Sequence, residues 1–217
     1  MKKAGTLIAF LILVASMYFF LARNEVVCVI AGGVGFIVGT FLLAEFMADK
    51  TGTEKVVQDG IEVYLVKQQS LAGGSFYSRT VGILHPMILF DKDQFSLLTE
   101  QERKAVLLHE AGHVKKKHQL KRFLLLAGMI LLLVVVRCFA AWDMVPFIIA
   151  GFVVLALFFV FAVWYYRKNE FDADSYAVSE MKDAQPLTTF LTERIGVTEK
   201  KGLSLHPSVN ARVAKLK

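Results

Sequence analysis

Four long apolar stretches restrict what this chain can fold into more than any other feature of the sequence. They cover residues 6–22, 26–47, 123–141 and 144–166. Each is long enough to cross the hydrocarbon core of a bilayer as a helix, which takes about 20 residues. Only a few residues separate the first stretch from the second and the third from the fourth, so the sequence predicts two transmembrane hairpins. Hydrophobic residues make up 55% of the chain, which also favours a multi-pass integral membrane protein.

The distribution of positive charge predicts how these hairpins are oriented. Of the 25 Lys and Arg residues, only Arg23 and Arg137 fall at the hairpin tips. Because basic segments are retained in the cytoplasm, we expect the segment between the hairpins and the C-terminal segment to be cytoplasmic. The basic residues at 115–117 and 121–122 can contact anionic lipid headgroups of the bilayer. Topology thus accounts for the net charge of +6, and no motif indicates a nucleic-acid partner.

Several features of the apolar stretches bear on processing, packing and metal binding. The two lysines before the first stretch also suit a signal peptide, but the lack of a clear cleavage site favours an uncleaved anchor. Gly35 and Gly39 permit close helix packing, within one bundle or between the subunits of a homo-oligomer. Cys28 and Cys138 fall inside predicted spans, so we expect neither of them to bind a metal.

The most specific chemical signal is an H-E-x-x-H motif at residues 109–113. Residues four apart share one face of a helix, so His109 and His113 can hold one zinc ion together. Glu110 can then accept a proton from a water molecule at the metal. The motif therefore indicates a hydrolytic zinc site, provided that a third ligand is present elsewhere in the chain.

Glu170 is the best candidate for this third ligand. Asp174 lies one helical turn after it and Arg167 three residues before it, so the three side chains share a helix face. A metal-ligating side chain needs hydrogen-bonding partners that fix its orientation, and Asp174 and Arg167 can serve in that role. The alternative interpretation is a stretch of solvated charges that follows a membrane helix.

The two cytoplasmic segments predict a small α+β catalytic domain that the second hairpin interrupts. Thr99 and Glu102 form a capping-box pattern, which predicts a helix over residues 99–118 that carries the motif. Apolar and alternating runs predict strands at residues 61–66, 75–80 and 87–90. The expected organisation is a first hairpin (1–48), a first catalytic part (49–121), a second hairpin (122–166) and a second catalytic part (167–217).

The H-E-x-x-H motif, followed by R-x-x-E-x-x-A-D at residues 167–174, resembles the membrane-bound zinc metalloproteases of the HtpX type. Their superfamily also includes the CAAX prenyl endopeptidases and the mitochondrial inner-membrane stress protease. Residues 98–118 resemble the active-site helix of that family, and residues 75–78 stand where it has its substrate-facing edge strand. A late His-Pro-Ser segment at residues 206–208, followed by Arg212, is also similar.

The resemblance implies a zincin-type metalloprotease domain that binds one Zn²⁺ ion per chain. The implied zinc ligands are His109, His113 and Glu170. Glu110 would be the general base, and His206 and Arg212 would act near the scissile carbonyl. His118, which trails the motif, is interpreted as a structural or surface histidine and not as a ligand.

The resemblance also implies where the protein works and on what. We expect a metalloendopeptidase in the plasma (inner) membrane of a prokaryote, with a cytoplasmic catalytic domain close to the bilayer. Its substrates would be damaged membrane proteins or membrane-tethered peptides. The chain is shorter than usual for this family, which leaves open whether a homo-oligomer or a partner completes the substrate cleft.

Three other functions fit parts of the sequence. A processing enzyme for prenylated peptides usually has more spanning helices than four. Residues 82–90 resemble the stretch before the H-E-x-x-H motif in signalling proteases of the antibiotic-sensor type. Residues 170–174 fit the HtpX type better. A non-catalytic membrane scaffold with a structural zinc would have no use for Glu110.

Overall fold

The computed structural model describes residues 54–66, 78–83, 85–139, 144–196 and 205–216. The predicted first hairpin, with its glycines and Cys28, therefore lies outside the described residues, as do residues 75–77 of the predicted edge strand. The described residues are mainly helical, as predicted, with one four-stranded sheet. They divide into two compact units, one with residues 120–159 and one with residues 54–119 and 160–216.

The sheet has the strand order β1-β2-β4-β3. Its strands are β1 (Glu54–Gln58), β2 (Ile61–Val66), β3 (Ser78–Val81) and β4 (Met87–Asp91). Strand β4 runs parallel to β2 and antiparallel to β3, so β3 is an outer strand of the described sheet. The structure confirms the strands predicted at residues 61–66 and 87–90. The sequence analysis missed β1, because this largely exposed strand carries only a weak apolar pattern.

Local sequence signals explain how the sheet connects to its neighbours. Asp59 and Gly60 form the two-residue turn between β1 and β2, and both adopt positive φ angles, of 52° and 78°. An Asp-Gly pair is favoured in such a hairpin turn. Asp91 ends β4 and caps helix α1 (Lys92–Leu97) by accepting a hydrogen bond from the Gln94 N–H.

Helix α2 (Glu100–Lys115) carries the H-E-x-x-H motif and begins at the predicted capping box. The Glu102 N–H donates to Thr99 Oγ1 at 3.2 Å, and the Thr99 N–H donates to Glu102 Oε2 at 2.8 Å. The predicted end at residue 118 is wrong. Lys117 adopts a left-handed φ of 54°, which breaks the helix, and His118 begins the next one.

The third and fourth apolar stretches fall in helices α3 (His118–Phe139) and α4 (Met144–Met181). Among the described residues, one helix is long and apolar enough to cross a membrane, over Ile149–Met181. Large apolar side chains along it, such as Phe152 and Trp164, are exposed. Helix α4 also continues through the charged segment at residues 167–174. That all four stretches cross a membrane stays a prediction.

The larger unit has its own apolar core between the sheet, α1, α2 and the C-terminal helices. These are α5 (Gln185–Thr189), a π-helical segment (Phe190–Ile195) and α6 (Val209–Leu216). The core is formed by buried side chains from all of these elements, among them Val63, Phe90, Phe95, Leu107, Leu187, Leu191 and Val209.

Gly112 allows α2 to pack closely against the second half of α4. A Cβ atom at this position would lie 3.2 Å from the Ala173 Cα and 3.1 Å from the Tyr176 Cδ1. Ala173 is fully buried, and its Cα is backbone that cannot move independently of the helix. The small residues at 112 and 173 therefore set the distance between the two helices.

Replacement of this glycine should loosen the helix pair. We expect Gly112→Val to destabilise the protein by about 1–3 kcal/mol, because the added methyl groups would push against α4. Thermal unfolding in detergent measures the effect. Gly128→Val is the matched control, since a Cβ at Gly128 meets nothing within 4 Å. Equal stability of the two variants would contradict close packing at Gly112.

Candidate metal centre

The structure brings together the three predicted metal ligands in the larger unit. His109 and His113 lie one turn apart on α2, and their Nε2 atoms are 3.2 Å from each other. Glu170, on α4, places Oε2 at 3.6 Å from His109 Nε2 and Oε1 at 3.5 Å from His113 Nε2. All three residues are buried, and one ligand atom from each lies within 4.8 Å of the others.

These distances fit a tetrahedral metal ion. Two atoms that are each bound to one zinc ion at about 2.0–2.1 Å, with a tetrahedral angle between them, lie about 3.3 Å apart. The separation of the two Nε2 atoms, 3.2 Å, is close to this value. Each Nε2 also faces one oxygen of the Glu170 carboxylate, Oε1 at 3.5 Å from His113 and Oε2 at 3.6 Å from His109. Two imidazoles and one carboxylate also form a ligand set that suits zinc.

Asp174 and Arg212 fix the orientation of His109. Asp174, one turn after Glu170 on α4, places Oδ1 at 2.8 Å from His109 Nδ1. Arg212 on α6 holds the same carboxylate with two donors, Nη2 to Oδ1 at 2.6 Å and Nε to Oδ2 at 2.8 Å. With its Nδ1 held by Asp174, the His109 ring presents Nε2 to the cluster.

The charges of the cluster favour a bound cation. Burial alone would lower the pKa of His109, but hydrogen bonds with Asp174 and Glu170 raise it to about 9. Burial would raise the pKa of Glu170, but hydrogen bonds with His109 and His206 hold it well below its usual value. Burial would likewise raise the pKa of Asp174, yet hydrogen bonds from Arg212 and His109 lower it to about 2. Both buried carboxylates are thus ionised; Asp174 is paired with Arg212, and Glu170 is left as the anionic group beside the two histidines.

His118 is buried, which favours a structural histidine over a surface one, the two alternatives that the sequence left open. Only 1% of the residue is exposed, and its Nδ1 lies 2.8 Å from His113 Nδ1. The group of side chains that could hold a metal consists of His109, His113 and Glu170. That His118 is not a ligand stays a prediction. The sequence analysis did not predict the contact between His118 and His113 because it expected one continuous helix to residue 118. The turn at Lys117 instead brings the chain back towards His113.

Two hydroxyl groups of the outer strand hold the carboxylate of Glu110. Ser78 Oγ donates to Oε1 at 2.8 Å, and Thr80 Oγ1 donates to Oε2 at 2.6 Å. Ser78 and Thr80 are two residues apart on β3, so their side chains point to the same face. The sequence analysis did not identify Ser78 and Thr80 as partners of Glu110. The available signal was a pair of hydroxyl residues at alternate positions of a predicted strand.

The remaining predicted residues differ in how they relate to the cluster. His206 is exposed, and its Nδ1 lies 3.3 Å from Glu170 Oε2, so it borders the ligands from the solvent side. Arg212 is engaged with Asp174. Arg167 is exposed, and its predicted support of Glu170 stays a prediction.

Comparison with known proteins identifies a family that the sequence matches and a solved structure with a similar fold. Residues 62–217, well over half of the chain, match the sequence profile of Peptidase family M48. The crystal structure of S. mikatae Ste24p is similar to this chain with a TM-score of 0.61 and 16% sequence identity. The similarity covers 99% of this chain and 62% of Ste24p, so the chain spans less than two thirds of that protein. No curated protein matches the chain.

Loss of the Glu170 charge should release the metal. We expect Glu170→Gln to retain much less than one zinc per chain, because a neutral amide is a poor replacement for a buried carboxylate ligand. Elemental analysis of the purified protein measures the zinc content. Glu180→Gln, an exposed position on the same helix, is the control and should retain zinc as the wild type does. Full retention by Glu170→Gln would exclude Glu170 as a ligand.

Proposed function

The chain belongs to peptidase family M48, whose members are metallopeptidases, and from this membership we propose that it is a membrane-embedded zinc metalloendopeptidase. The proposed reaction is the hydrolysis of peptide bonds in membrane proteins or membrane-tethered peptides, as part of membrane-protein quality control. One observation carries the proposal. The buried cluster of His109, His113 and Glu170 lies on the same helix pair as Glu110, a carboxylate that a purely structural metal site would not need.

The three ligands would hold one zinc ion, which polarises a substrate carbonyl and lowers the pKa of a water molecule when it is bound. Glu110 is the residue that moves the proton. Its carboxylate accepts the proton of the attacking water and returns it to the leaving amine. The hydroxyls of Ser78 and Thr80 limit the rotation of this carboxylate, so the base is held in place before substrate binds.

Strand β3 gives the substrate a place to bind. It is the outer strand of the described sheet, and its Thr80 touches the catalytic helix. An extended peptide can add to such an edge through main-chain hydrogen bonds. A substrate strand beside β3 would pass close to Glu110, which brings a scissile bond towards the metal cluster.

The two late residues have different roles in this proposal. His206 is exposed, and its Nδ1 lies beside Glu170, so it can reach a substrate and stabilise the developing negative charge on the carbonyl oxygen. Arg212 is engaged with Asp174 in a buried ion pair and acts through it on His109. We therefore assign Arg212 to positioning and His206 to contact with the substrate.

The membrane setting is proposed from the sequence. The exposed apolar side chains of α4 support at least one membrane crossing. We propose four crossings in two hairpins, in the plasma membrane of a prokaryote, with the catalytic residues on the cytoplasmic side. Glu170 follows the last apolar residues by only a few positions, which suits substrates that are themselves in or on the membrane.

Cleavage of an unfolded protein in detergent tests the proposed function. We expect zinc-loaded wild type to cleave unfolded casein, and Glu110→Gln to bind zinc normally but to lose cleavage by at least about a hundredfold. Glu100→Gln, an exposed position at the start of the same helix, is the control. Zinc binding without cleavage in the wild type would favour a non-catalytic membrane scaffold.

The hydroxyl of Thr80 should affect turnover but not metal content. We expect Thr80→Val to lower kcat by about 10–100-fold, because a hydrogen bond to a charged carboxylate contributes about 1.5–3 kcal/mol. Thr80→Ser retains the hydroxyl and should keep most of the activity. Steady-state kinetics together with zinc analysis would check this, and unchanged kcat in Thr80→Val would exclude a role in holding Glu110.

A further inference from the structure

We propose that His118 is a positioning residue that sets the orientation and tautomer of His113 for metal binding. The proposal rests on the metal site of the proposed function and adds a residue to it. His118 is among the most deeply buried side chains described, and its imidazole lies against that of His113.

The geometry determines which ring nitrogen of His113 carries the proton. His113 Nε2 faces His109 Nε2 at 3.2 Å and Glu170 Oε1 at 3.5 Å, so Nε2 is the ligand atom. A neutral imidazole has one N–H and one unprotonated nitrogen, and only the unprotonated nitrogen can bind a metal. His113 Nδ1 must then carry the hydrogen, and it donates that hydrogen to His118 Nδ1 at 2.8 Å.

This contact requires a defined tautomer of His118 as well. Because His118 Nδ1 accepts, a neutral His118 carries its hydrogen on Nε2. The two metal-binding histidines thus have different partners, a carboxylate at His109 and an imidazole at His113. An imidazole, unlike a carboxylate, orients the His113 ring without adding a further negative charge to a cluster that already contains Glu170 and Asp174.

The backbone turn at Lys117 makes the contact possible. In an uninterrupted helix, residues five apart are offset by about 140° around the axis, so His118 would point away from His113. The left-handed φ of 54° at Lys117 ends α2 and turns the chain before α3 begins at His118. A non-glycine residue rarely adopts this conformation, so the contacts that follow it must offset its cost.

Zinc affinity of two substitutions at His118 tests the proposal. In His118→Leu the partner of His113 is lost, and we expect the zinc dissociation constant, measured by chelator competition in detergent, to rise about 10–100-fold. In His118→Asn the side-chain Oδ1 lies as many bonds from Cα as the lost Nδ1 and can accept the same hydrogen. We expect this variant to bind zinc within a few-fold of the wild type.

A control separates positioning from general packing. Leu187→Ala removes a buried core side chain that is neither a ligand nor a hydrogen-bonding partner of a ligand, and it should lower thermal stability while leaving zinc affinity unchanged. Wild-type affinity in a folded His118→Leu would overturn the proposal. Equal loss of affinity in His118→Leu and His118→Asn, with lower stability of both zinc-free proteins, would overturn it in favour of packing. Absence of zinc binding in the wild type would instead overturn the proposed function, and this inference with it.

Discussion

The close approach of α2 and α4 at Gly112 is the contact on which the metal centre depends. Gly112 lies between the two histidines of the motif in sequence, and Ala173, which it meets, lies between Glu170 and Asp174. One helix contact therefore sets two distances, that of Glu170 from both imidazoles and that of Asp174 from His109. A larger side chain at either small position would separate the ligands that the two helices carry.

The same helix contact brings two ionised carboxylates, those of Glu170 and Asp174, into the protein interior. Burying an ionised carboxylate without a partner costs several kcal/mol, and here two are buried within one turn of helix. The Arg212 guanidinium and the His109 imidazole offset the charge of Asp174, and the histidines and His206 offset that of Glu170. Such a cluster adds little to stability, but it forms a site in which ligands are oriented before a cation arrives.

Hydroxyl and imidazole groups from outside α2 complete the site. The strand residues Ser78 and Thr80 hold Glu110, some thirty residues later in the chain. His118 holds His113 from the first position of the following helix. Each of the three residues of the motif that carry chemistry thus has its own partner, and none of these partners lies within α2 itself.

Predictions from the sequence succeeded where the determining interactions are local. The capping box places the start of α2, and helical spacing puts His109 with His113 and Glu170 with Asp174 on common faces. Predictions failed where a backbone conformation or a distant contact decides. The left-handed turn at Lys117 is not marked by a glycine in the sequence, so the end of α2 before His118 was not predicted.

Contacts between residues that are distant in sequence could not be predicted either. Arg212 pairs with Asp174 across 38 positions. The sequence analysis expected Arg212 near the scissile carbonyl and did not predict this ion pair. The hydroxyls of β3 became apparent only when the outer strand was seen beside α2. Spacing along one helix can be deduced from a sequence, whereas the packing of one element on another depends on the whole domain.

X-ray absorption spectroscopy of the zinc-loaded protein tests the metal centre most directly. We expect a first shell of nitrogen and oxygen at about 2.0–2.1 Å, with the outer-shell scattering of two imidazoles and no sulfur at about 2.3 Å. Such a spectrum would agree with two histidines and one carboxylate as ligands. Scattering from three imidazoles, or from sulfur, would contradict the assignment of His109, His113 and Glu170.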